Sequence, residues 1–541
     1  MLKPIILQPD YTTLRRFYQI KLPLEMETMI PADDPVRLLS AFVEGMDLSE
    51  LYATYDRVRK NQASPRQMFK IMVYAAMNGI FSSRDIETAC KRDINFMFLL
   101  EGMPAPDHAT LARFISLHLS ACSKNILAEV TSLLHELGEI SAKTVFIDGT
   151  KIEANANKYT FVWKKAVSKS QAKLFEKVSS FVSECEEMYG IKVVYQDRIS
   201  LHTLKRLRKK LYAVKESEGI SFVHGTGKHK HPLQRSIETL EQYIEKLKEY
   251  IKKLHVCGDR NSYSKTDPDA TFMRLKEDAM LNGQLKPAYN LQHAVDAQYI
   301  IWLDISSRPG DVTVLVPFLK DMQKHLSFKY KEIVADAGYE SEEAYVFLEK
   351  NGQDSYLKPQ NYEISKTRKY KEDISRRENM IYNEQEDFYL CAEGRKLTNV
   401  SERKKKNRNG YESTETIYEC EDCSGCPNKV KCIIGNHCNT PMEERNKRFW
   451  VSKVLKEKRE ETLKRITSEY GTQLRMNRSI QAEGSFAVLK EDMGFRQYLY
   501  RGKKNVLAQS VLAAIGHNIN KLHFKIQGGR NGQFLTELKT A

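Results

Sequence analysis

The spacing of hydrophobic positions changes along this chain, and the changes divide it. Between Pro35 and Gly138, apolar residues recur three and four apart in SPRQMFKIMVYAAMNG, SSRDIETACKRDINFMFLLEG and PDHATLARFISLHLSACSKNILAEVTSLLHELG, with Ser, Asp or Pro at the starts and Gly at the ends. That period turns one stripe of each segment toward a shared core, so residues 1–140 are predicted to form a helical domain. Its helix-turn-helix-like spacing around Gly79 to Leu100 suits docking on a polyanion or ordinary helical packing.

Beyond residue 140 the period shortens. KTVFIDGTKI is a β-branched and aromatic run closed by Asp-Gly, the pattern of a buried strand that ends in a turn. AYNLQHAVDAQ and YIIWLDISSR have strand composition and are expected to pair antiparallel. DVTVLVPFLKDMQKHL then reads as an amphipathic helix, KEIVADAGY as a short buried strand, SEEAYVFLEKNG as a helix and DSYLKP as a strand. The order β, β, β, α, β, α, β over 141–358 predicts an α/β core with a mixed sheet flanked by helices.

Two insertions interrupt it. In 165–256, Leu174, Val178, Phe181, Cys185 and Met188, and later Ile237, Leu240, Ile244, Leu247, Ile251 and Leu254, form two seams spaced by three and four, which predicts a helical hairpin with GISFVHGTGKHKHPLQ as a looser connection. Residues 359–450 are polar, with the basic runs KTRKYK and RKKKNR and a group of cysteines. SKVLKEKREETLKRITSEYG and RSIQAEGSFAVLKEDMG are helical again and return the chain, over 451–541, to the core. The chain carries no tandem repeat.

Charge sharpens this division. Residues 1–150 hold 16 Lys+Arg against 18 Asp+Glu, so the whole chain's net +15 becomes +17 downstream of them. A field of that sign draws polyanions, and nucleic acid is the leading partner; a merely solvated surface is the alternative. No apolar run approaches the ~18 residues of a spanning helix, and the start lacks the h-region of an export signal, so a cytoplasmic protein without a membrane is expected. The ten cysteines are then expected as thiols or metal ligands rather than disulfides. YECEDCSGCPNKVKC sets Cys420, Cys423, Cys426 and Cys432 in C-x2-C-x2-C-x5-C order, with Cys391 upstream and Cys438 beyond. Four thiolates close a tetrahedral structural zinc site, here Cys423, Cys426 and Cys432 with Cys391 or Cys420, and free thiols or an iron–sulfur cluster are the alternatives.

Three acids stand in contexts suited to divalent-metal chemistry. Asp148 ends the strand VFID before Gly149, Asp336 ends a second short strand in EIVADAGYES, and Glu483 lies on the later helix RSIQAEGSFAVLK. Magnesium takes hard oxygen ligands, so carboxylates must converge from separate elements, and two such ions can activate a nucleophile and steady the leaving oxygen in phosphoryl transfer. Taken singly, each acid is equally well a turn residue or a solvated helical Glu. Asn290 and Gln292 read as strand residues, His293 not as a metal ligand, and Asp296 as an edge-strand or turn residue. No Walker-type G-x4-G-K-[ST] is present.

The segments SPRQMFKIMVYAAMNGIFSSRDIE, PDHATLARF, VFIDGTKIEANANKYTFVW, KPAYNLQHAVD, VADAGYES and IQAEGSFAVLKEDMGFRQYLYRG, spread over nearly the whole chain, resemble the DDE transposases of bacterial insertion sequences. The resemblance implies an RNase H-like core with Asp148, Asp336 and Glu483 as catalytic metal ligands for Mg2+, with Mn2+ as a substitute. It also implies cutting of insertion-sequence ends that carry terminal inverted repeats, joining to target DNA, and a homodimer on double-stranded DNA. A nuclease of the same fold, or a non-catalytic DNA-binding relative, are the alternatives. Of the pattern Y-x2-R-x3-E-x6-K found around the Glu in related families, Lys490 fits. Arg478 lies one residue too far upstream, with Ser479 in the expected place, and the Tyr is missing. Arg478 and Lys490, together with Lys404, Lys405 and Lys406 of the basic run, are the expected DNA contacts.

Overall fold

The computed structural model describes residues 29–57, 61–195, 199–225, 227–275, 283–435 and 440–537. The first part is helical: α1 (Pro35–Glu44), α2 (Ser49–Ala53), α3 (Pro65–Met77), α4 (Ser83–Arg92), α5 (Ile94–Leu100), α6 (His108–Arg113) and α7 (Ser120–Glu136), the last two joined by a π turn over Phe114–Leu119. Helix α3 is the centre of this group. Ser64 caps it by accepting from the Gln67 N–H while the Gln67 side chain accepts from the Ser64 N–H, and Pro65 supplies the first helical residue. Nearly all of α3 is buried, including Lys70, whose ammonium lies 2.6 Å from Glu44 and 3.3 Å from Glu101.

The expected core strands follow: β1 (Thr144–Glu153), then a small ribbon of β2 (Phe161–Trp163) with a later partner. The first insertion holds α8 (Lys164–Tyr189), α9 (Leu201–Ser217) and α10 (Pro232–Cys257). Helices α8 and α10 are the two long helices of the expected hairpin. The connection between them folds a third, because Leu204, Leu207 and Leu211 give it an apolar stripe of its own, and all three helices share one core. The chain continues through β3 (Ser262–Ser264), which pairs with β2, then β4 (Thr271–Arg274), β5 (Leu285–Asp296), β6 (Tyr299–Ser306), α11 (Leu315–His325), β7 (Glu332–Ala335), α12 (Glu342–Lys350) and β8 (Asp354–Leu357).

Strand β1 runs through the middle of a mixed sheet. It pairs antiparallel with β5, Asp148 opposite His293, and parallel with β7, Ile147 opposite Ala335; β8 lies parallel outside β7. The far edge of β5 takes β4 at one half and β6 at the other. This is the predicted α/β architecture, a mixed sheet flanked by helices of RNase H-like type. Asp296 ends a central strand, not an edge one. Its buried carboxylate accepts from Ser141 Oγ, the Ala142 N–H and Tyr330 Oη, bracing the entry to β1, and burial pushes its pKa up to about 6.

The second insertion folds into an antiparallel sheet of β9 (Ile381–Asn383), β10 (Phe388–Leu390), β11 (Lys396–Lys406), β12 (Glu412–Cys420) and β13 (Arg448–Val451), in the order β13-β12-β11-β10-β9. The chain then forms α13 (Lys453–Thr467) and α14 (Glu469–Arg478), which passes through a π turn (Ser479–Glu483), α15 (Gly484–Ala487) and a second π turn (Val488–Asp492). The closing helix α16 (Lys503–Gln527) binds core and helical domain together. Its Asn518 side chain accepts from the Ile300 N–H and donates to the Ile300 carbonyl on β6. Where α16 crosses α3, a Cβ on Gly516 would stand 2.9 Å from the Met77 nitrogen, so only glycine permits this approach. No helix among the described residues is long and apolar enough to cross a membrane.

Candidate active site

The sheet register brings the two aspartates together. Ile147 and Ala335 are partners across the parallel β1–β7 pair, so the next residues, Asp148 and Asp336, emerge at the same level from neighbouring strands ~4.8 Å apart. Asp148 accepts from the Gly149 N–H at 2.8 Å and Asp336 from the Gly338 N–H at 2.8 Å. Asp336 follows the end of β7, but β1 does not end at Asp148 as its Asp-Gly suggested: paired with β5, it runs on to Glu153, and only its pairing with β7 stops at Ile147. A Cβ at Gly149 would run into Gln292 Nε2 and stand 2.9 Å from Tyr339 Oη, so any larger residue there must displace one of these side chains.

Glu483 arrives from the other side of the chain, on the π turn that packs against β1 and β5. Arg478 ties it to the first aspartate, with Nη1 3.4 Å from Asp148 Oδ2 and Nη2 2.7 Å from Glu483 Oε1. The spacing that looked one residue too long is absorbed here. A π turn bonds residues five apart, so it sets Arg478 and Glu483 on one face as an α-helix would set residues four apart. Burial raises the Asp148 pKa to about 6; Arg478 and the Gly149 N–H pull it down, and the nearby Asp336 and Glu483 carboxylates push it up again.

A fourth carboxylate, which sequence reasoning passed over, lies beside Asp336. Asp311 Oδ1 accepts from Asn290 Nδ2 at 2.7 Å and Gln292 Nε2 at 3.1 Å, and Gln292 Oε1 in turn accepts from Tyr339 Oη. A Cβ at Gly338 would lie 3.0 Å from Asp336 Oδ1 and 3.6 Å from Asp311 Oδ2, so the two carboxylates flank one small space. Burial raises the Asp311 pKa, and Asp336 adds to the rise. The strand residues Asn290 and Gln292 thus form the floor of the acid site. His293 is buried, stacked on Phe486 with ring centroids 4.3 Å apart.

Lys490 sits on the second π turn and is only 8% exposed. Lys404, Lys405 and Lys406 lie on the exposed length of β11, with Lys405 3.3 Å from Glu415 and Lys406 3.3 Å from Glu412. The tip of that hairpin is anchored to the core beside the acids. Asn407 and Asn409 donate to Glu343 on α12 at 2.6 and 2.9 Å, and Asn409 Oδ1 accepts from Arg308 at 2.7 Å, three residues before Asp311.

At the base of the same sheet Cys420 and Cys423 are buried, with Cys391 and Cys432 packed against the same small core. Cys423 Sγ accepts from the Lys447 N–H at 3.3 Å, and Cys420 Sγ donates to the Asp422 carbonyl at 3.4 Å. Burial holds the Cys420 thiol up at about 12 and raises that of Cys432, to which Cys391, Cys423 and Cys426 contribute as neighbours. The described cysteines are unpaired thiols, and Cys438 lies outside the described residues. Among the described residues no three His, Cys, Asp or Glu are gathered as a metal site. At the acids the Arg478 guanidinium lies within ion-pairing distance of both Asp148 and Glu483. The donor set itself, hard carboxylate oxygens around a partly buried space, is the kind magnesium takes.

Two family models match this chain: a transposase DDE domain over residues 390–523, and a transposase domain (DUF772) over residues 24–117. Together the two matches support an insertion-sequence DDE transposase. The DDE match contains Glu483, Arg478 and Lys490, and the DUF772 match covers most of the helical domain; both aspartates fall in the unmatched residues between. Comparison with curated proteins and with solved structures gave no match. The transposase family implies a DNA substrate.

Proposed function

We propose that this transposase cleaves the ends of its insertion sequence and joins them to target DNA by two-metal phosphoryl transfer, with Asp148, Asp336 and Glu483 as the catalytic acids. The observation that supports this reading is that Asp148 and Asp336 leave adjacent parallel strands at one level, while Glu483, on the π turn packed against β1, is tied to Asp148 through Arg478. The three carboxylates would hold magnesium, or manganese in its place, which when bound supplies an activated nucleophile and stabilises the leaving oxygen. What the chain itself contributes is position and charge. Gly149 and Gly338 fix the two aspartates through their N–H groups, and the Asn290–Gln292–Tyr339 floor, with Asp311, braces the backbone that carries them. Arg478 balances the acids until DNA arrives; a phosphate then competes for its guanidinium, freeing Glu483 to turn inward.

Lys490 and the exposed Lys404, Lys405 and Lys406 are assigned to DNA backbone contact, on double-stranded DNA bearing terminal inverted repeats and held by a homodimer. The hairpin's anchoring next to Arg308 supports the placement of its lysines near the cut. A structural zinc is assigned to four of Cys391, Cys420, Cys423, Cys426 and Cys432. The N–H donated to Cys423 Sγ, a common support for a metal-bound thiolate, favours Cys423 among them. Zinc content measured on the purified protein, alone and with Cys423→Ser, checks this.

The test of the function is a strand-transfer assay with a labelled end duplex, a target plasmid and magnesium. Joined product is expected; cleaved ends with no joined product would establish the nuclease reading instead, and neither product would leave the chain a DNA-binding protein.

A further inference from the structure

The helical arm carries a charge pattern that neither the acid site nor the arm's own packing uses. On α8, Lys165, Lys169, Lys173 and Lys177 follow one another at intervals of four, and all four are exposed. Leu174, Val178, Phe181, Val182 and Cys185 turn to the arm's core instead. Consecutive lysines of such a row are about 6 Å apart along the helix axis, so the four make a ridge about 18 Å long. From 164 to 177 the helix has five lysines and one glutamate. Lys164 is used within the fold, donating to the Gly258 carbonyl at 2.6 Å. None of the four ridge lysines has a hydrogen bond or ion pair among the described residues, whereas Lys230 and Lys253 on the same arm are each paired with a glutamate.

Like charges four apart repel, at a few tenths of a kcal/mol for each pair, so the ridge weakens the isolated helix it lies on. Its position supplies a reason for keeping it. Strand β1 carries Asp148 and leads through the β2–β3 ribbon straight into α8, whose first N–H is bonded to the Asn261 carbonyl at 2.9 Å beside that ribbon. The ridge therefore starts at the root of the arm and runs outward from the catalytic sheet. Duplex DNA presents a phosphate every ~3.4 Å of axis on each strand, a row of anions that a row of lysines can follow without reading bases.

We propose that the α8 ridge, Lys165, Lys169, Lys173 and Lys177, holds the phosphate backbone of the duplex flanking the cut. The proposal rests on the reading of the chain as an end-cleaving transposase, and a binding assay run in chelator separates the two. Affinity for a long end duplex is measured against salt for the wild-type chain, for the quadruple Lys→Gln variant of the ridge, and for a control removing equal charge from α9 (Lys205→Gln, Arg206→Gln, Lys209→Gln and Lys210→Gln). The ridge variant is expected to lose about tenfold or more in affinity at moderate salt. Its salt slope is expected to flatten by up to ~0.9 for each contact removed, ~3.6 in all, and protection of the flanking duplex from nuclease is expected to shorten. The quadruple Lys→Arg variant, which keeps the charge, is expected to bind as wild type, so a loss caused by misfolding is told apart. Three results overturn the proposal: an unchanged slope in the Lys→Gln ridge variant, an equal loss in the α9 control, which reports the general field alone, or failure of Lys→Arg to retain binding. Absence of DNA binding by the wild-type chain would sink the functional reading itself.

Discussion

Asp148→Asn should make the protein more stable at neutral pH while disabling it. Burial lifts the Asp148 pKa from an ordinary 3.8 to about 6, with 15% of the side chain exposed. The folded chain therefore holds this proton more tightly than the unfolded chain, and the linkage runs toward acid. Well below pH 3.8 the group is neutral in both states and costs nothing. As pH rises from 4 to 6 the unfolded chain ionises first and stability falls; above 6 the full penalty applies. At ~1.4 kcal/mol for each pH unit the penalty is about 3 kcal/mol. Asparagine removes it but deprives Arg478 of one partner, so a net gain of about 1–2 kcal/mol is expected at pH 7.5, roughly 3–6 °C in the unfolding midpoint of the core. The assay is thermal unfolding of both proteins in chelator at pH 4 and pH 7.5. The gain should vanish at pH 4, and added magnesium should raise the midpoint of the wild type more than that of the variant, because a ligand stabilises only the chain that binds it. A variant less stable than wild type at pH 7.5, or an advantage that persists at pH 4, would refute the reasoning.

Gly149→Ala places a methyl group against Gln292 Nε2 and 2.9 Å from Tyr339 Oη. Displacing that floor should cut end cleavage by about tenfold or more with little change in circular dichroism, since misplacement near a reacting centre costs rate before fold. Glu343→Ala removes the acceptor of Asn407 and Asn409, two bonds of 2.6 and 2.9 Å that pin the basic hairpin. At roughly 1 kcal/mol each, their loss should speed trypsin cleavage at Arg403 to Arg408 severalfold in a limited-digestion time course.

The positions of the aspartates were legible because each closes a short apolar run and is followed closely by glycine, a pattern that survives without any knowledge of pairing. Their meeting was not, because it depends on the register that sets Ile147 opposite Ala335. The Arg478 spacing looked defective for a related reason. An extra residue in a helix is absorbed by a π turn only where tertiary contacts support one, and no local propensity marks the place. Asp311 was hidden among ordinary turn signals after Pro309 and Gly310, and its partners Asn290 and Gln292 look like polar strand residues until β5 is laid beside β1. In the arm, α9 escaped because its three buried leucines are outnumbered by lysine and arginine. The sheet of the second insertion escaped because β11 has almost no apolar alternation; it is held by its pairing with β12, including Arg403 across from Glu415 and Lys405 reaching the same carboxylate diagonally.

In the proposed reaction Asp148, Asp336 and Glu483 act as one unit. Single-turnover cleavage of an end duplex in magnesium should be measured for Asp148→Asn, Asp336→Asn, Glu483→Gln and the double variant of Asp148 and Glu483. Each single change is expected to lower the rate by roughly a thousandfold or more, and the double to lower it no further, since groups that act together are lost together. Cleavage within tenfold of wild type in any of the three single variants would contradict the account.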